Sequence, residues 1–305
     1  MTQSRVRNAG PATAVGVIAI FLWSCLALLT TLTEGIPPFE LLTLSFGVAF
    51  AASLIILGRH GVAGFNSWRQ PWAVWATGFV GIFVYHALYF FALKVAPAAE
   101  ASLINYLWPL LLVLLSAFAA GEKLHKRQVL GALLGLAGTA FIMQQRATHT
   151  AGAMPMAGYL AAFGCALIWA GYSVFNRRFS EVPSSIIGGI CGMSAAAGLV
   201  CHLAFETTVR PDSAQWVAII VLGLGPAGLA FFAWDHATKH GHLATLGALS
   251  YLAPLMSTLL LIVVGHGYAG PILIIPALLI IAGAVIATSQ APGKAPATRS
   301  ITSHE

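Results

Sequence analysis

Apolar residues run through this chain in stretches of about the same length, interrupted by proline, glycine and charge. A helix needs about 20 mostly apolar residues to cross roughly 30 Å of hydrocarbon. Ten stretches satisfy that: 13–33, 38–57, 71–93, 98–119, 127–145, 156–177, 184–205, 214–237, 243–264 and 270–289. The breaks carry their own punctuation. Pro37-Pro38 divides the first two stretches, Pro71 opens the third and Pro97 separates the third from the fourth. Pro183, Pro211 and Pro271 mark later boundaries. The ring suits a first helical turn and not an interior. The pattern predicts an all-α, polytopic membrane protein of ten transmembrane helices. Arg5 and Arg7 precede the first stretch as they would precede a signal peptide. The apolar run is too long for one and lacks a clear small-residue cleavage site, so it reads as a retained helix. The Pro-, Ser- and Thr-rich tail after Gln290 reads as disordered.

Composition strengthens the membrane reading. Only 8% of the 305 residues are charged and 58% are hydrophobic, against about 25% charged in soluble domains. Neither a soluble surface nor a disordered chain fits those figures. A net charge of +6 would elsewhere suggest nucleic acid, but its placement suggests topology. With ten crossings, both termini and the even-numbered connections share one side. Twelve of the fifteen Lys and Arg fall there, Lys123, Lys239, Lys294 and Arg299 among them; Lys94, Arg146 and Arg210 fall opposite. The positive-inside bias places both termini in the cytoplasm. Cys25, Cys165, Cys191 and Cys201 lie in apolar runs without the spacing of a disulfide framework or a zinc site.

The two halves, 1–150 and 151–305, resemble each other at an offset of 145 residues. Asn105-Tyr106-Leu107-Trp108-Pro109 pairs with Ser250-Tyr251-Leu252-Ala253-Pro254, Lys94 with Lys239, and Ala137-Gly138 with Ala282-Gly283. A duplicated unit of five helices reverses its orientation, because five is odd. Two inverted five-helix repeats are expected, an architecture of secondary transporters that hold substrate near the midplane between the halves. Gly131, Gly135 and Gly138, Gly188 and Gly192, and Gly283 with Ala287 read as close helix packing. A monomer is expected; a dimer through the fifth and tenth stretches is the alternative.

Polar residues form stripes. Ser102, Asn105, Tyr106 and Pro109 share one face of the fourth stretch, and Gly247, Ser250, Tyr251 and Pro254 repeat it in the ninth. Tyr85, His86 and Tyr89 lie in the third, Trp23 in the first, and Trp169, Tyr172, Ser173 and Asn176 in the sixth. Against lipid such stripes cost free energy, so they face a cavity or bond between helices. Asn105, Tyr106, Tyr85 and His86 are assigned to a cavity; interhelical bonding is as good a reading for Tyr172, Asn176 and Trp234. Pro109 and Pro254 are expected to kink their helices and free the carbonyls of Asn105 and Ser250. His86 is either a buried neutral histidine bonded to a neighbouring helix or a ligand or proton carrier. No Asp or Glu lies mid-stretch; Glu34, Glu40, Glu100 and Glu206 fall towards one face and Asp235 near the other. His236 and His240 have a spacing that can hold a metal, but at a helix end solvated histidines are the ordinary reading, and no metal or cofactor is expected.

A channel would need a continuous polar pore, an enzyme paired acids or a nucleophile with its base, and a sensor a soluble domain. None of these patterns is present, and the reading is a transporter. Ten stretches, two five-helix halves and Asn105-Tyr106-Leu107-Trp108-Pro109 resemble the drug/metabolite transporter superfamily, with its EamA-type repeats, and within it the aromatic amino acid exporter branch. The resemblance implies export of amino acids across a bacterial inner membrane through a central cavity open to one side at a time. Ser250 and Ala253, standing where the first half has Asn and Trp, depart from symmetry. The candidate substrate contacts are Trp23, Tyr85, His86, Tyr89, Asn105, Tyr106, Trp108, Trp169, Ser250 and Tyr251. The partners are a neutral, aromatic or hydrophobic amino acid and the bilayer, without nucleic acid. Export of other small metabolites, nucleotide sugars or drugs, or passive facilitation, are the alternatives.

Overall fold

A computed structural model describes residues 2–120, 125–146, 155–265 and 273–288. The tail after Gln290, Lys123, Lys294, Arg299 and Pro271 lie outside the described residues. Among the described residues the chain is all-helical. Eight stretches are long and apolar enough to cross a membrane: α1 (Ala9–Thr31), α2 (Pro38–Gly58), α3 (Trp72–Val95), α4 (Ala98–Ala119), then Pro155–Phe179, Ile186–Phe205, Ser213–His240 and Leu243–Val263. Between α4 and Pro155 lies α5 (Lys126–Arg146). The four later stretches are α6, α7, α8 and α9 in chain order, and α10 (Ile274–Thr288) is a shorter apolar helix. Pro38 occupies the first turn of α2, and Pro71 and Pro97 stand immediately before the helices that they introduce.

The helix irregularities repeat. One turn of α3, Val80–Val84, is widened to π-helical geometry, and so is one turn of α8, Gly225–Leu229. Their starts are 145 residues apart. The following helical segments, Tyr85–Val95 and Ala230–His240, keep the same displacement, as do Ala98–Asn105 and Leu243–Ser250. A π-turn leaves backbone carbonyls poorly bonded within the helix, and side chains collect them. His86 Nδ1 donates to Ile82 O at 2.6 Å, and Trp23 Nε1 donates to Pro226 O at 3.2 Å.

Pro109 and Pro254 do not kink continuous helices, which corrects the sequence-based expectation. The first segment of α4 ends at Asn105 and a new one begins at Trp108, so Pro109 sits in a first turn. In α9 the helix breaks at Tyr251 and resumes at Leu252, with Pro254 in its first turn. A first turn has no partner for the missing N–H in any case, so a break places the ring without a lost bond. The carbonyl of Tyr106, at the first break, accepts from the Tyr251 hydroxyl at 3.1 Å. Each discontinuity thereby supports the other.

α5 and α10 pack along their length. A Cβ on Gly131 would come within 2.5 Å of the Gly283 carbonyl, and one on Gly283 equally close to the Gly131 carbonyl. Backbone meets backbone there, so small residues are a steric requirement. α2 packs on α7 in the same way, with Gly188 against Ser53 and Gly192 against the Phe50 ring.

Acidic groups near helix ends are more buried than expected. Glu206, after α7, accepts from the backbone N–H of Phe39 (3.0 Å) and Glu40 (3.1 Å), capping the start of α2. Glu40 in turn accepts from Val209 N at 2.9 Å, and His202 Nδ1 donates to Glu206 at 2.9 Å. Near the end of α8, Asp235 and Lys239 form a buried ion pair. Lys239 is therefore not a loop charge, as the charge count had it. Its ammonium finds Asp235 one turn back and the Val182 carbonyl, which makes burial possible.

Candidate functional site

Four tryptophans from four helices meet in the middle of the bundle. Trp23 (α1) lies edge-on to Trp169 (α6) at 5.5 Å and 5.2 Å from Trp234 (α8). Trp169 stacks on Trp234 at 6.0 Å, and Trp108 (α4) stands perpendicular to both, at 6.2 and 5.7 Å. Phe231 completes the group, 5.5 Å from Trp23 and 5.8 Å from Trp169. Trp108, Trp169 and Trp234 are buried and Trp23 is half-buried. Edge-to-face contacts of this kind add to the burial of large apolar rings. The Trp234 indole N–H is bonded to Ser173 Oγ at 3.0 Å.

Next to that plug lies a more open, more polar layer. Tyr85, His86, Tyr89 and Phe90 form consecutive turns of α3 just after its π-turn, and all are half-buried. Tyr85 stands 5.6 Å from Trp169 and stacks with Tyr89 at 6.1 Å. His86 is surrounded by rings: Tyr85 at 5.2 Å, Phe46 at 5.5 Å, Phe90 and Phe231 at 6.2 Å. Its Nδ1 carries a proton, because it bonds a carbonyl, and Nε2 is left as an acceptor. The bond is to its own helix and not to a neighbouring one, because the π-turn offers the Ile82 carbonyl directly.

α4 lies against this layer. Asn105 pairs its amide with the Tyr85 hydroxyl at 2.9 Å, and Ser102 Oγ with the Tyr89 hydroxyl at 2.9 Å. The Asn105 side chain is buried, yet its Oδ1 has no hydrogen-bond partner. An orphaned buried polar atom costs about 1–3 kcal/mol. Oxygen and nitrogen of an amide are interchangeable in such a fit, so one end holds Tyr85 and the other is buried and unpaired. Ser194 Oγ on α7 is the other unpaired buried side-chain atom among the described residues.

The structure brings together Trp23, Tyr85, His86, Tyr89, Asn105, Trp108 and Trp169. Three other sequence candidates make contacts elsewhere. Tyr251 is almost fully buried in a second apolar cluster with Val113, Ile142 and Ile280, against which Tyr106 also packs. Tyr106 stands at the break that follows Asn105. Ser250 Oγ is spent on Leu246 O of its own helix at 2.7 Å. Sequence reasoning missed Phe46, Phe90 and Phe231 as walls, and their signal was only apolarity. His236 and His240 are exposed with rings 4.9 Å apart, while Asp235 turns inward. Among the described residues no group of three or more His, Cys, Asp or Glu is placed to hold a metal. An apolar groove of about 520 Å³, lined by Phe50, Trp68, Trp75 and Met193 among others, shares no residue with the polar layer.

The model of the EamA-like transporter family matches residues 11–144 and again 156–289, the second match displaced by 145 residues. The chain belongs to the EamA-like transporter family. This EamA-like transporter is a multi-pass membrane protein. It is 48% identical over 278 residues to the aromatic amino acid exporter YddG of Ancylobacter novellus, covering 91% of this chain and 96% of that relative. The aromatic amino acid exporter YddG of Escherichia coli K12 is 26% identical over 265 residues, covering 82% and 87%. A solved crystal structure matches with a TM-score of 0.86 at 47% identity, covering 92% of this chain and 98% of its own.

Proposed function

We propose that this transporter exports neutral aromatic and other hydrophobic amino acids across a bacterial inner membrane by alternating access. In this reading all ten helices cross the bilayer as two inverted five-helix repeats, 1–150 and 151–305, with both termini cytoplasmic. The charge bias supports the orientation, and the recurrence of π-turns and helix breaks at one displacement supports the repeat. The names of the relatives support the substrate class.

The observation that carries the proposal is the buried, unpaired end of the Asn105 amide beside a wall of rings. An amino acid zwitterion offers ammonium donors, carboxylate acceptors and, if aromatic, a flat apolar face. The unpaired end of Asn105 fits one pole, and His86 Nε2 is a further acceptor for N–H donors. Tyr85, Tyr89, Phe90 and Trp169 provide the apolar surface. Among the described residues no fixed charge contacts the polar layer, so binding is weak, as a carrier that must release its cargo requires. The packed tryptophans close one end while the Tyr85 layer remains half-exposed on the other.

Uptake into proteoliposomes from a panel of amino acids, with and without a pH gradient, tests this. Phenylalanine, tyrosine and tryptophan should be carried and lysine and aspartate should not. Asn105→Ala and Tyr85→Ala should each abolish flux in folded protein; unchanged flux in both would remove the site. A reporter fused after Glu305 should be active only in the cytoplasm. Flux indifferent to the gradient would leave His86 as a substrate contact and not a proton carrier.

A further inference from the structure

We infer that the buried Asp235–Lys239 pair is a lock that holds shut the end of the bundle where α6 and α8 terminate, biasing the carrier towards the state closed there. This rests on the alternating-access reading. The Lys239 ammonium lies 2.8 Å from the Asp235 carboxylate, with both side chains 1% exposed. Lys239 also donates to the Val182 carbonyl at 3.0 Å, in the connection between α6 and α7. The second carboxylate oxygen of Asp235 accepts from Asn176 Nδ2 at 2.9 Å, and that amide also reaches Thr238 Oγ1 at 3.1 Å. One turn closer to the tryptophans, Trp234 bonds Ser173. Thus the end of α8 is tied to α6 and to the connection beyond it, next to the aromatic plug.

Charges inside a membrane protein are costly, and a full ion pair is retained where it serves function or fixes an interface. The internal repeat separates these two roles. At a displacement of 145, Asp235 corresponds to Phe90, Lys239 to Lys94, Asn176 to Thr31 and Ser173 to Leu28. Phe90 packs on Phe39 and His86, while Lys94 and Thr31 are exposed. A contact needed merely to pack the repeat would recur in both halves. Among the described residues only one end has these bonds, so when the halves exchange conformations only one closure is held by them. A carrier built this way rests closed at the α6/α8 end, and opening that end means parting Asp235 and Lys239 from α6 and Val182.

The test uses the full-length, solubilised chain with Cys25, Cys165, Cys191 and Cys201 replaced by alanine and Ser173→Cys as the only thiol, between lock and plug. Its labelling by a bulky charged maleimide reports opening. Asp235→Asn and Lys239→Met should each speed labelling about tenfold, the shift that loss of one charge-assisted hydrogen bond produces. The two together should add little to either alone. Asn176→Ala, which keeps the ion pair, should give a smaller rise and carries the test if the charge variants do not fold. Labelling unchanged from the parent in every folded variant overturns the lock. Adding phenylalanine to the parent separates the two claims. A changed rate there with inert lock variants removes only the lock; an unchanged rate there with fast lock variants keeps the lock and removes phenylalanine as the cargo.

Discussion

The two halves share their irregularities and differ in their chemistry. Both have a π-turn at the same place, and both break a helix one residue after a polar side chain, Asn105 or Ser250. The occupants of the equivalent positions are unlike. Tyr85 and His86 of the first half correspond to Ala230 and Phe231, and Trp108 to Ala253. The first half therefore brings the open polar layer, and the second brings the buried ion pair and Trp234. The shape of each helix recurs in both halves, and side chains distinguish them: the Tyr85–Asn105 pair lies in the first and the Asp235–Lys239 pair in the second. Under the proposed function, substitution divides the labour between two like frames.

The largest effect should come from the second half. Removing one partner of a buried pair typically costs about 3–5 kcal/mol, because the other charge is left without compensation. Lys239→Met or Asp235→Leu alone should lower the thermal unfolding midpoint strongly, and the double variant should recover most of it. A double variant as unstable as either single one would show that the bonds to Asn176 and Val182, not the pair, set the stability.

The frame common to both halves can be strained next. Gly131→Val puts a branched side chain where the Gly283 carbonyl already lies. Overpacking of that kind costs about 1–3 kcal/mol, read as a lower midpoint. Glycine 283 faces the same gap, so Gly283→Val should cost a similar amount if the halves are equivalent there.

Division of labour at the binding layer predicts a smaller but asymmetric response. Asn105→Ser, which installs the residue of the other half, should slow phenylalanine flux about tenfold, the cost of one lost hydrogen bond to a charged ligand group. Ser250→Ala should leave flux near the parental rate, since its hydroxyl serves its own helix. Equal losses in both variants would mean that the two halves contribute alike to binding.

Much of the fold was legible because lipid imposes a simple rule on sequence. The apolar runs and their flanking prolines locate helix ends within a few residues; the run at 38–57, for instance, is the helix Pro38–Gly58. The π-turns left no trace, since one extra residue in a turn does not alter hydropathy. Tyr85, His86 and Asn105 were legible as polar groups in apolar surroundings, but their pairing depends on how α3 lies on α4. The break in α4 at Tyr106 was not legible, because helical periodicity assumes a continuous helix. The i, i+4 spacing of Asp235 and Lys239 was visible, yet hydropathy near a boundary does not say which face turns inward.

The smallest effect expected concerns the joint between the two breaks. Tyr251 donates its hydroxyl to the Tyr106 carbonyl, joining residues 145 apart in the chain and equivalent in the repeat. Tyr251→Phe keeps the ring in its pocket beside Gly135 and removes the hydroxyl that makes that bond. Interhelical hydrogen bonds in membrane proteins average about 0.6 kcal/mol, so the midpoint should fall slightly and the flux of phenylalanine should stay close to the parental rate. A large loss of flux with an unchanged midpoint would place Tyr251 in the transport cycle, and the second half would then share in the chemistry assigned here to the first. The outcome matters more than its size, because this bond is where the two frames meet. If it is only structural, the breaks in α4 and α9 are a matched pair of supports, and the asymmetry between the halves resides wholly in the layer around Asn105 and the lock around Asp235.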